Sequence, residues 1–152
     1  MHAFTKVALA VCLVVPFSQS VQAAGYQVSV IGDAANFTGC LALNETAGIG
    51  FLAVGDSVAL LGNSNALKIA KGDAVEGKWS VDGGTATAYS SKADSVNTVT
   101  IDVPNDAAAV ASLTTGKVLM VSSGSNTAKF DLDGAAEAFT NLVSCMMTKS
   151  VP

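Results

Sequence analysis

From residue 25 onward, short apolar stretches alternate with clusters of turn-forming residues. Residues 26–31, YQVSVI, put Tyr26, Val28 and Val30 on one side, and this period of two predicts a half-buried strand. Residues 40–43 form a second candidate after the turn-rich Gly32-Asp33-Ala34-Ala35-Asn36. Residues 51–54 and 57–61 read as short apolar strands around Gly55-Asp56, with a loop at residues 62–65. Residues 67–70 read as a further strand. Residues 77–81 and 85–90 read as a hairpin across Asp82-Gly83-Gly84, where an Asp-Gly step supplies the positive φ of a tight turn. Residues 96–103 alternate cleanly, with Val99, Ile101 and Val103 on one face.

The period then lengthens. Pro104-Asn105-Asp106 opens an alanine-rich helix over residues 106–113 that Gly116 closes, with a polar cap at one end and a glycine at the other. Residues 117–122 and 127–132 form a second hairpin around Ser123-Gly124-Ser125-Asn126. A terminal helix over residues 134–148, capped by Asp133, repeats Phe139, Leu142, Val143 and Met146 at helical spacing, with Cys145 at the edge of that stripe. The expected fold is mainly β: an antiparallel sheet or open barrel of about eight strands, with the short helix and the C-terminal helix packed on it.

The first 23 residues follow another pattern. Lys6 precedes an apolar run from Val7 to Phe17 and a polar approach to Val21-Gln22-Ala23, the three-part form of a cleavable signal peptide. The run is about half the ~20 residues of a membrane span, so no membrane insertion is expected. Cleavage after Ala23 leaves residues 24–152 as one exported domain, enough for a single core. Leu9-Ala10-Val11-Cys12 resembles part of a lipoprotein box, but Val11 is too large beside the cut.

Composition narrows the chemistry. The only histidine is His2 and all eight basic residues are lysines. Without the leader, seven lysines stand against twelve carboxylates, a charge of −5. Clustered basic residues for nucleic acid are missing, and a cationic partner is favoured. With no histidine after residue 2, a histidine-based triad is excluded from the exported domain and a zinc site is disfavoured. Paired aspartates, Asp131 with Asp133 and Asp102 with Asp106, suit strand ends and helix caps better than acid–base work, so no enzyme is expected. Asp131-x-Asp133-Gly134 is a fragment of a calcium loop, and helix capping accounts for it; no metal or cofactor is expected. Asn36-Phe37-Thr38 and Asn44-Glu45-Thr46 are sequons that matter only in a eukaryotic host. Trp79 reads as a core residue. Cys40 and Cys145 remain as an even pair in an exported chain, and a bridge between them is expected to be structural.

The early Gly39-Cys40-Leu41-Ala42-Leu43 and the closing Lys129-Phe130-Asp131-Leu132-Asp133-Gly134, Ala138-Phe139 and Leu142-Val143-Ser144-Cys145 carry a resemblance. The chain is similar to small periplasmic proteins of Gram-negative bacteria that include inhibitors of lysozyme and other peptidoglycan hydrolases, and more loosely to invasion-associated periplasmic proteins. The likeness implies a small β-rich inhibitor that inserts a loop carrying hydroxyls and lysine into the carboxylate-lined cleft of the hydrolase. It places the contact on Ser122, Ser123, Gly124, Ser125, Asn126 and Lys129. Thr127 stands where one such group has tyrosine, and of a companion motif only Ala70-Lys71-Gly72 remains. The alternative is an envelope or virulence-associated protein with a different protein partner.

Intact-mass analysis of the exported protein checks the leader: the expected N-terminus is Ala24, and an acyl chain on Cys12 would overturn the cleavage reading.

Overall fold

The computed structural model describes residues 22–23 and 25–152. The signal-peptide expectation, including Cys12, lies outside the described residues apart from Gln22 and Ala23. Strands β1 (Gln22–Ala23), β2 (Tyr26–Ile31), β3 (Gly39–Asn44), β4 (Ile49–Val54), β5 (Ser57–Asn63) and β8 (Thr98–Val103) form one antiparallel sheet in that order. A second antiparallel sheet runs β10 (Asn126–Asp131), β9 (Val118–Ser123), β6 (Ala74–Val81), β7 (Thr87–Lys92). Helix α1 (Ala107–Thr115) joins β8 to β9, and α2 (Ala135–Thr148) follows β10.

The architecture is thus mainly β with two helices, and the sheet does not close into a barrel. Strands β2 to β5 form a meander set by short turns. The chain then leaves the first sheet, builds the β6–β7 hairpin in the second, and returns so that β8 pairs with β5, Leu60 opposite Ile101. Strand β9 later joins β6, with Trp79 opposite Val121.

Alternation sends Tyr26, Val28, Cys40, Ala42, Ile49, Phe51, Leu60, Val99 and Ile101 to one face of the first sheet, all buried. Helix α2 covers the β2–β4 part of that face. The Phe139 ring lies 4.5 Å from Phe51, which stacks on Tyr26 at 5.8 Å. Beyond the helix the second sheet takes over. Phe130 packs directly over Gly62, where a Cβ would come within 3.0 Å of its ring. Cys40 and Cys145 form a disulfide with Cα atoms 6.3 Å apart, tying the third strand to the last helix.

Several boundaries differ from expectation. Residues 67–70 are not a strand. Ser64 caps a 3₁₀ turn (Asn65–Leu67), Lys68 turns left-handed, and Ile69 exchanges hydrogen bonds with Asn97, so Leu67 and Ile69 plug the core from a loop. The Asp82-Gly83-Gly84 hairpin is wider than a two-residue turn. The Asp82 carboxylate accepts from the Lys117 and Val118 amides, which ties the β6 end to the start of β9. Asp106 caps α1 as expected, accepting from Ala109 N at 2.6 Å. Asp133 does not cap α2: the cap position is Gly134, in a left-handed conformation and without a side-chain bond. The α2 stripe is also rotated from expectation. Ala135, Ala138, Phe139, Leu142 and Cys145 face inward, whereas Val143 is 55 % exposed.

The bridge closes a sequence separation of 105 residues, which the chain-entropy model values at about 4 to 5 kcal/mol. The Cys40→Ala, Cys145→Ala double variant is expected to lose a large part of this. Denaturant unfolding under non-reducing conditions measures the loss, and an unchanged midpoint would contradict a stabilising role.

Candidate functional site

The β9–β10 hairpin runs in register from Asp131 opposite Val118 to Asn126 opposite Ser123, leaving Gly124 and Ser125 as a two-residue turn. Gly124 has φ +56°, as a primed hairpin turn requires, and nothing lies within 4 Å of where its Cβ would be. The tip therefore points into open space.

Its base is braced. Ser122 Oγ accepts from Lys78 N at 3.0 Å and donates to Lys78 O at 3.2 Å, so the side chain takes the place of a ladder partner on β6. The Ser122 carbonyl accepts from the Tyr89 hydroxyl at 2.8 Å, and Gly124 N donates to Glu76 O. This approach needs glycine at residue 77, because a Cβ there would sit 1.8 Å from Ser122 O.

The six expected contact residues divide accordingly. Ser122 is occupied within the fold. Ser123 and Asn126 are half-buried at the last strand pair, and Gly124 and Ser125 are exposed at the tip. Lys129 is exposed three residues further along β10, about 10 Å from Asn126 at the usual strand rise. It lines a cleft of about 600 Å³ with Lys117, Val118, Phe130, Asp131 and Asp133. Tip and lysine are therefore two stations on one hairpin.

Asp131 and Asp133 do come together, at the corner between β10 and α2. Asp131 Oδ1 accepts from Asp133 N at 2.9 Å. Both residues also line a second cleft, of about 490 Å³, with Gly25, Asn44, Thr46 and Ala47. The corner is acidic toward α2 and basic toward Lys117 and Lys129. Among the described residues no group of three or more His, Cys, Asp or Glu side chains is placed to hold a metal ion. The other aspartate pair separates by role, Asp106 capping α1 while Asp102 is exposed on β8.

Two residues of this corner were hidden from sequence reasoning. Asn44, noticed only as a sequon, is buried, and its Oδ1 accepts from Ala47 N to fix the β3–β4 turn. Tyr26, read only as a strand residue, is fully buried, and its hydroxyl has no hydrogen-bond partner among the described residues. Burial first, then the charges of Asp131 and Asp133, push its pKa up to about 12. Trp79 is in the core as expected, and among the described residues its indole N–H has no partner. No signal within the YQVSVI strand marks a tyrosine that shares the field of two aspartates a hundred residues later.

No protein-family model and no curated protein matches the sequence. Among solved structures, the fold is similar to that of invasion associated protein B from Bartonella henselae, with a TM-score of 0.59 at 16 % identity. The match covers 88 % of this chain and 99 % of that one. At this identity the likeness is one of fold. The disulfide independently places the domain with proteins of oxidising, extracytoplasmic compartments. No helix among the described residues is long and apolar enough to cross a membrane.

The Tyr26 phenol gives a pH prediction. An unfolded chain releases this proton near the ordinary value of 10, whereas the folded chain holds it to about 12. Below pH 10 both states keep the proton and its contribution to stability is constant; it is lost as pH rises from 10 to 12. Tyr26→Phe is expected to remove this alkaline loss. At neutral pH it should leave stability unchanged or raise it by about 1 kcal/mol, because a buried donor without a partner is removed. Thermal unfolding at neutral pH and through the alkaline range checks both; a clear loss at neutral pH would show that the hydroxyl has a stabilising partner.

Proposed function

We propose that this domain is a non-enzymatic periplasmic binding protein that docks a cationic protein partner through the β9–β10 hairpin and the acidic corner beside it. The observation that carries the reading is the braced hairpin: a two-residue tip held from below by the Ser122–Lys78 pair and Tyr89, beside two adjacent carboxylates. A stiff tip loses little conformational freedom on binding, and a net charge of −5 draws an oppositely charged partner at long range.

In its specific form, the partner is a peptidoglycan-cleaving glycosidase, either lysozyme or an endogenous muramidase. The tip enters the enzyme cleft so that Ser123 and Ser125 meet the catalytic carboxylates, with Lys129 on the flank. What supports this form is the resemblance in the cysteine and closing motifs, together with the exposed hydroxyl at the tip. A second reading, an envelope or virulence-associated protein with a different protein partner, is favoured by the fold likeness to an invasion-associated protein.

Titrating muramidase activity on purified peptidoglycan separates the two. The specific form expects saturating inhibition at an equimolar ratio, weakened at least about tenfold by Ser125→Trp, a loss of about 1.4 kcal/mol of binding, with an unchanged melting temperature. Inhibition unaffected by the substitution removes the tip from the contact. No inhibition of either enzyme leaves the envelope-binding reading.

A further inference from the structure

The outer face of the first sheet does not look like a solvated face. An antiparallel sheet with one wet side normally alternates apolar and polar residues, yet β3, β4 and β5 read GCLALN, IGFLAV and SVALLGN, apolar on both sides. The register aligns Leu41, Leu52 and Ala59 in one row across the outer face, and Leu43, Gly50 and Leu61 in the next. Ile31 and Val54 extend the patch toward the other end of the strands. The four leucines are partly exposed and are not among the residues packed against the core. A shallow cleft of about 270 Å³ opens between Leu43 and Leu61.

We infer that this face is the contact surface between two copies of the chain, packed sheet against sheet about a two-fold axis. Three observations favour a second copy as the occupant. The patch lies on a regular sheet, and two such faces stack at about 10 Å with their side chains interleaved. No outward position of β2 to β5 carries a charge, so the strands of two copies bring no like charges face to face, and Glu45 stays at the rim of the cleft. The flanks also suit this arrangement: Gln27 and Ser29 lie on the β2 side, with Thr100 and Asp102 on the β8 side. A two-fold axis along the strands lays β8 over the partner's β2, so Asp102 meets a neutral polar flank instead of another carboxylate.

The size is sufficient. Five strands at about 4.8 Å spacing and about 20 Å length give roughly 400 Å² in plan. With side-chain relief, two copies reach the order of 1,000 Å², the size of a weak, reversible interface. The contact is independent of the hairpin and the acidic corner, and its test does not depend on the proposed function.

Sedimentation velocity of the purified chain between about 1 and 100 µM, the range of a modest interface, measures the association. The expected result is a reversible dimer that Leu52→Lys converts to monomer throughout this range and that Val143→Lys, on the exposed side of α2, leaves intact. Far-UV circular dichroism checks the folding of each variant. If L52K fails to fold, Ala59→Glu, at a smaller position in the same row, carries the same expectation. A wild-type chain that is monomeric at the highest concentration overturns the inference, and the face then belongs to a different partner. A dimer that survives L52K, or one that V143K breaks, overturns it as well.

Discussion

The seating of α2 against the inner side of β2, β3 and β4 is the constraint on which most of this structure depends. Tyr26 stacks on Phe51 there and Phe139 packs tilted against Phe51, and the Cys40–Cys145 bond fixes the same helix to the same sheet. The second sheet covers only the β5–β8 side. Without α2, the largest buried side chains of the meander would face water, a loss of the order of 2 kcal/mol for each large apolar side chain. The bridge and the aromatic contacts hold the helix in one position. That position in turn fixes the corner where Asp131 and Asp133 emerge.

Local patterns were legible in the sequence because local physics sets them. The YQVSVI strand appears at its expected bounds, and α1 begins at the Asp106 cap and ends at Gly116. The second hairpin pairs around Gly124-Ser125. The terminal helix and the cysteine pair are present too. What failed locally failed through tertiary contact. Leu67 and Ile69 have the composition of a strand, but the core takes both from a loop that Asn97 pins. Val143 fits an apolar helical stripe, yet the rotation set by Cys145 and Phe139 turns it outward.

The division into two sheets was not legible at all. It depends on β5 choosing β8 over the adjacent β6, a pairing across more than thirty residues that periodicity does not encode. The candidate site suffered similarly. The hairpin tip could be found from turn chemistry, but not that Ser122 is spent on Lys78, because that bond joins residues 44 apart. In sequence, the apolar runs of β3 to β5 read simply as strands. Only the register shows that half of each run faces away from the core.

The place of α2 after both sheets in sequence also governs when the core can close. Synthesis proceeds from the N-terminus, so the meander and Cys40 exist long before their cover and their redox partner do. Until Ala135–Thr148 are made, Phe51 and Tyr26 lack a lid and Cys40 lacks Cys145. A chain without α2 would thus display an open aromatic surface beside an unpaired thiol. Closure of the core and pairing of the thiol are therefore one event, the docking of α2.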